Sequence, residues 1–162
     1  MPAVQILVVD DFLPWHRFVQ RMLETEKDLQ IAVAANGLEA VQKAEELQPD
    51  LILLDINLPA LNGIEVARRI RKLSADSKIL FVSQESSAEV VEEAFRLGAQ
   101  GYLLKSDAAR DLLRAVNAIL QGKQFVSSHL RSYAISNTAD KQPAEHSSSE
   151  GLPLPPQKEK TS

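Results

Sequence analysis

Residues 51–65 read LILLDINLPALNGIE. The apolar run Leu51–Leu54 leads straight into Asp55, and Pro59 and Asn62-Gly63 follow. Beyond them Val66, Ala67, Ile70 and Leu73 recur at helical spacing. An apolar run without polar alternation is the signature of a strand buried on both faces, as in a parallel sheet covered by helices. The segment thus reads as strand, loop and helix, with a carboxylate at the carboxyl end of the strand.

The same unit repeats in both directions along the chain. Further buried strands are expected at Gln5–Val9, Leu29–Ala34, Ile79–Val82 and Gly101–Leu104. After the first strand, Trp15, Phe18, Val19, Met22 and Leu23 fall on one helical face, and Pro14 sits in the first turn, where its missing N–H costs nothing. A second helix opens on Asn36 with Glu39 three residues on, buries Ala40, Val41, Ala44 and Leu47, and stops at Pro49. A fourth is expected to start on the Ser86/Glu89 capping pair, to bury Val90, Val91, Ala94, Phe95 and Leu97, and to end at Gly98. A fifth carries Leu112, Leu113, Val116, Ile119 and Leu120 and closes at Gly122. Five strands alternating with five helices imply an α/β fold: a doubly wound, five-stranded parallel sheet of flavodoxin-like type. Its crossovers should be right-handed and its strand order 2-1-3-4-5.

Composition fits one such domain. The chain has 162 residues, 44% hydrophobic and 25% charged, with a net charge of −4, which gives no reason to expect a nucleic-acid surface. With no cysteine, disulfides, thiolate metal sites and cysteine nucleophiles are excluded. His16, His129 and His146 lack metal-ligand spacing. No apolar run approaches the roughly 20 residues of a membrane helix, and the N-terminus reads as no signal peptide, so a cytoplasmic protein is expected. Residues 1–126 form the expected domain. Residues 127–162, rich in Ser, Pro, Gln, Glu and Lys, read as a disordered polar tail. Within it, residues 130–135 could extend the last helix or form a turn, and residues 152–156 could adopt polyproline II.

Ligands of an open parallel sheet bind beyond the carboxyl ends of its strands. The residues there are Asp10-Asp11 after strand one, Asp55 after strand three, Ser83 after strand four and Lys105 after strand five. Singly, each has an ordinary explanation as a cap, a turn residue or a surface charge. Together they occupy four of five strand ends in the order one sheet needs. Three close carboxylates repel unless a cation joins them, and a purely oxygen donor set suits Mg²⁺. Mg²⁺ keeps open positions for phosphate oxygens, and a carboxylate can act as nucleophile to give an acyl phosphate. Asp55, central among these groups, is the best-placed nucleophile. Lys105 offers a point charge to phosphate, and Ser83 a hydroxyl donor.

From about Val4 to Gln124 the chain resembles the receiver domains of two-component response regulators (CheY-like). ILVVDD matches their first strand, LILLDINLPALNGIE their phosphoacceptor strand and loop, FVSQ the hydroxyl strand and GAQGYLLK the lysine strand. The last is closest in flavour to the NarL/FixJ subfamily. The resemblance implies phosphorylation of Asp55 by a sensor histidine kinase. Mg²⁺ would be held by Asp11 directly, Asp10 through water, Asp55 and the backbone carbonyl of Asn57. Lys105 and Ser83 would grip the phosphoryl group, and Tyr102 would be an aromatic switch acting on a downstream protein target. A homodimer is compatible with it. No activity is implied beyond self-phosphorylation and self-dephosphorylation.

The chain also departs from the family pattern. Ser106 stands where many members have a cis proline, so a trans bond is expected. Gln84 stands where a small residue is common in the family, and it could narrow access to the phosphoryl group. Phe12 and Trp15 add bulk near the acid pair, Trp15 as packing on helix one. The subfamily's helix-turn-helix is absent, so direct DNA binding is not expected. Three other readings stand beside this one. A haloacid-dehalogenase-like aspartyl-phosphate phosphatase would need an acid at position 57, which is Asn. A pseudo-receiver would take no phosphate. The chain could also be a receiver fragment of a longer DNA-binding transcription factor.

Overall fold

The computed structural model describes residues 3–127 and 130. Among these residues six parallel strands form one sheet in the order β2-β1-β3-β4-β5-β6. In chain order the elements are β1 (Val4–Val9), α1 (Leu13–Leu23), β2 (Leu29–Ala34), α2 (Gly37–Leu47), β3 (Leu51–Asp55) and α3 (Gly63–Leu73). Then come β4 (Lys78–Ser83), α4 (Ala88–Arg96), β5 (Gly101–Leu104), a 3₁₀ turn (Lys105–Asp107), α5 (Ala108–Leu120) and β6 (Phe125–Val126). The expected order 2-1-3-4-5 holds, with one correction: the sheet has a sixth strand.

Strand alternation sorts the core into two layers. Leu7, Val9, Ile52 and Leu54 pack with Ala40 and Ala44 of α2, Val66, Ala67 and Ile70 of α3, and Val91 and Ala94 of α4. Ile6, Val8, Leu51 and Leu53 pack on the other face with Trp15, Val19 and Leu23 of α1 and Leu112, Val116 and Ile119 of α5. Every residue of β3 is buried, which is why its sequence shows no polar alternation. Each such Leu or Ile contributes about 1.5–3 kcal/mol by leaving water.

The helix boundaries follow local chemistry. Asn36 caps α2 by accepting from Glu39 N–H at 2.9 Å, while Glu39 returns a bond to Ala35 N–H at 2.8 Å. Asn62 caps α3 in the same way through Glu65 N–H. For α4 the cap is Ser87, not Ser86: its Oγ accepts from Val90 N–H at 3.3 Å. Adjacent serines offer the same hydroxyl in two registers, and the helix takes the later one. Gly98, at φ +92°, turns the chain after α4 as expected. Leu47 and Leu73, expected on buried faces, are the last residues of their helices and are 40% and 39% exposed.

The sixth strand comes from residues with no periodicity of their own. Phe125 pairs beside Gly101 and Val126 beside Tyr102. Ser127, expected as the first tail residue, is buried: its N–H donates to Tyr102 C=O at 3.0 Å and its Oγ accepts from Leu104 N–H at 2.8 Å. Leu130 N–H donates to Ser127 C=O, and its side chain is buried in the layer that holds Tyr102 and Leu104. The remaining expectations for the tail, including polyproline II at 152–156, lie outside the described residues.

Candidate metal and phosphoryl site

Parallel strands bring their carboxyl ends to one rim, and the loops there set the site. Asp10 follows β1, Asp55 ends β3, and Lys105 follows β5. Asp10 and Asp55 each use one oxygen to order the loop that follows. Asp10 Oδ1 accepts from Phe12 N–H at 2.9 Å, and Asp55 Oδ1 accepts from Asn57 N–H at 3.0 Å. Each therefore keeps its other oxygen toward the cleft. His16 Nε2 lies 2.7 Å from the Asp10 carbonyl, so that nitrogen carries the donated proton and anchors the β1 end to α1.

Gly63 lets the β3 end and α3 approach closely. A Cβ at this position would run into the Asp55 carbonyl oxygen and Ile56 Cα. Gly63 N–H donates to Ile56 C=O at 2.9 Å, closing the loop behind Asp55. Within that loop Ala60 sits at φ 65°, a left-handed conformation that costs an L-residue roughly 1–2 kcal/mol.

The cleft holds about 250 Å³ and is lined by Asp10, Asp11, Phe12, Asp55, Asn57, Gln84 and Lys105. One carboxylate oxygen from each of Asp10, Asp11 and Asp55 lies within 4.8 Å of the others. Lys105 Nζ approaches Asp10 Oδ2 to 2.6 Å and Asp55 Oδ2 to 3.8 Å. Asp10 is fully buried, and no hydrogen-bond donor is aimed at its Oδ2, which leaves the Lys105 ammonium as that oxygen's ion-pair partner. Asp11 is exposed and stands at the mouth. Burial pushes the Asp55 carboxyl up to about 6; the Lys105 ammonium pulls it down, and the charge of Asp10 pushes it up again.

These residues fit a hard divalent cation. The donors are all oxygens, the three carboxylates are already gathered, and Asp10 Oδ2 is buried with no aligned hydrogen bond. The Lys105–Ser106 bond is trans, as expected from a non-proline residue.

Two expected site residues stand back from the cleft wall. Ser83 is fully buried at the end of β4, and its Oγ accepts from Glu85 N–H at 3.0 Å. Tyr102 is fully buried, and its hydroxyl donates to Glu85 C=O at 2.9 Å. Both therefore hold the same residue of the loop before α4. Burial pushes the Tyr102 phenol up to about 12, against the Ser83 hydroxyl beside it.

Trp15 has a larger part here than its sequence position suggested. Its ring stacks on Phe18 at 5.2 Å, and Lys105 Nζ lies over its face, 5.1 Å from the centroid. Trp15 and Lys105 are far apart in sequence, and no spacing rule links them.

Comparison with known proteins identifies the family of the chain. Residues 6–117 match the family described as the response regulator receiver domain. The nitrate/nitrite response regulator protein NarL of Escherichia coli K12 is 36% identical over 126 residues, covering 77% of this chain and 58% of NarL. The transcriptional regulatory protein DegU of Brevibacillus brevis is 35% identical over 124 residues, covering 76% of this chain and 52% of DegU. The chain thus spans a little over half the length of these relatives. Among solved structures, a LuxR-family two-component response regulator from Aurantimonas sp. SI85-9A1 superimposes with a TM-score of 0.78 at 28% identity, covering 85% of this chain and 99% of that one. The phosphatase reading falls with this match. The chain belongs to the response-regulator receiver domain family of two-component signalling.

Proposed function

We propose that this receiver takes a phosphoryl group from a sensor histidine kinase onto Asp55 and signals to a protein target through Tyr102. The observation that carries this is the gathering of Asp10, Asp11 and Asp55 oxygens within 4.8 Å, with the Lys105 ammonium 3.8 Å from Asp55 Oδ2. Asp11, Asp55 and the Asn57 carbonyl would hold Mg²⁺ directly, and Asp10 through water. The chemistry supplied by the bound ion is neutralisation of charge on the transferring phosphoryl oxygens.

Asp55 Oδ2 attacks phosphorus as the P–N bond of the donor phosphohistidine breaks. The electron pair stays on the imidazole, which takes a proton from solvent, and Asp55 becomes an acyl phosphate. Lys105 turns from Asp10 toward a phosphoryl oxygen, exchanging one anionic partner for another. Gln84, on the cleft wall, narrows the approach of water and prolongs the acyl phosphate.

Signal output follows from the shared hold on Glu85. If Ser83 Oγ turns to the phosphoryl group, it releases Glu85 N–H, and the loop that Tyr102 also holds shifts. Only such a difference between the two states can move their populations. The face of α4, β5 and α5 then changes toward the target. We place the domain in the cytoplasm; among the described residues no helix is long and apolar enough to cross a membrane.

The test is incubation with acetyl phosphate and Mg²⁺, followed by intact mass. Wild type should gain one phosphoryl group, and Asp55→Ala none. Gain by both proteins would refute the assignment.

A second reading, favoured by the 58% and 52% coverage of NarL and DegU, makes this chain the receiver part of a longer transcriptional regulator. Antibody capture from the native cells separates the two. A species of 17.9 kDa supports a stand-alone receiver, and a markedly heavier one supports the longer protein.

A further inference from the structure

We infer that Trp15 is a positioning residue for Lys105, holding its ammonium over the cleft through the ring face; this rests on the phosphoryl-transfer reading above. Lys105 is attached to the turn after β5, and its long side chain has many rotamers to lose. Three contacts gather the ammonium: Asp10 Oδ2 at 2.6 Å, Asp55 Oδ2 at 3.8 Å and the Trp15 ring at 5.1 Å. The first two are anions that a cation or a phosphoryl group engages during the reaction. The ring is the one contact of the three that neither metal nor phosphate takes up.

The ring is itself fixed. Trp15 is 8% exposed, packs in the layer shared by α1 and α5, and stacks on Phe18 with 28° between the planes. The Lys105 side chain is 16% exposed, so its ammonium is partly desolvated, the condition under which a π face attracts a cation most. When Lys105 lets go of Asp10, the Trp15 face keeps the ammonium within reach of a phosphoryl oxygen on Asp55. A leucine at position 15 would fill much of the space without an attractive face.

Trp15 is the only tryptophan in the chain, so fluorinated tryptophan can be placed at this site alone by biosynthetic incorporation. Fluorines drain the negative face with little change in shape. The full chain is phosphorylated with acetyl phosphate and Mg²⁺, and the rate is followed by intact mass. We expect stepwise slowing as fluorines are added, and roughly 3- to 10-fold slowing in Trp15→Leu, with Trp15→Phe between it and wild type. In a Lys105→Met background the same changes should have no effect, since Trp15 acts through Lys105. Equal slowing in both backgrounds, or none in either, overturns the Trp15 assignment alone. The fluorinated series keeps this test intact if Trp15→Leu fails to fold. A wild type that takes up no phosphoryl group overturns the reading of the site, and the positioning role with it.

Discussion

Lys105 Nζ sits 2.6 Å from Asp10 Oδ2, so the lysine expected to grip phosphate is paired with a carboxylate expected to serve the metal. The two residues come from the loops after β5 and β1, on either side of Asp55. The ammonium neutralises part of the charge that three gathered carboxylates would otherwise present, and it therefore competes with any cation entering the cleft.

Lys105→Met should separate these two effects. Phosphorylation by acetyl phosphate should slow on the order of 10- to 100-fold, because the charge facing the phosphoryl oxygens is lost. Mg²⁺ should bind more tightly, because Asp10 is released. Calorimetric titration checks the second point, and weaker Mg²⁺ binding in the variant would contradict the competition.

Asp55 bears on stability as well as chemistry. Its folded carboxyl, pushed up to about 6 by burial first of all, lies above the ordinary 3.8. The stabilising contribution of the neutral form is present below pH 3.8 and is lost as pH rises through about 6. At pH 7.5 in chelator, Asp55→Asn should therefore be more stable than wild type, by about 1–2 kcal/mol after allowance for solvent screening. Added Mg²⁺ should stabilise wild type more than the variant. Urea unfolding with and without Mg²⁺ measures both, and a less stable variant in chelator would be the contrary result.

Gly63→Ala should cost roughly 2–4 kcal/mol, because the new methyl meets the Asp55 carbonyl and Ile56 Cα, which are backbone and cannot turn aside. Mg²⁺ affinity should fall with it, since the same backbone carries the site. Unchanged unfolding would mean that α3 does not dock against Asp55 as described.

Tyr102 predicts a pH signature. With Tyr133→Phe removing the other tyrosine, the phenol should ionise at about 12 rather than 10.0 when followed by ultraviolet absorbance. Because the folded value is raised, the stabilisation is full below pH 10.0 and disappears as pH climbs toward about 12. Ionisation at the ordinary value would place the ring in water.

Much of this was readable in the residues, for physical reasons. Leu51–Leu54 declares a doubly buried strand, and the topology of a parallel sheet then carries Asp10, Asp11, Asp55 and Lys105 to one rim. What escaped reading depends on contacts that leave no local pattern. Phe125 and Val126 form a strand because β5 offers them an open edge. Ser127 and Leu130 look like polar tail, yet they bury against Leu104 and Tyr102. The adjacent Ser86 and Ser87 present one capping signal in two registers. Trp15 reads as helix packing, which it is, but its ring also meets Lys105, which follows β5. Ser83 reads as a strand end and does end β4, but the bond its hydroxyl accepts from Glu85 N–H leaves no pattern in the sequence.

Attack by Asp55 leaves an acyl phosphate on that side chain alone, and chemical trapping of this bond identifies the nucleophile. Wild type is phosphorylated with acetyl phosphate and Mg²⁺, reduced with borohydride, digested and sequenced by mass spectrometry. Reduction of an aspartyl phosphate leaves homoserine, which should appear at position 55 and nowhere else. Homoserine at position 10 or 11, or phosphate retained on Ser83, would contradict the account.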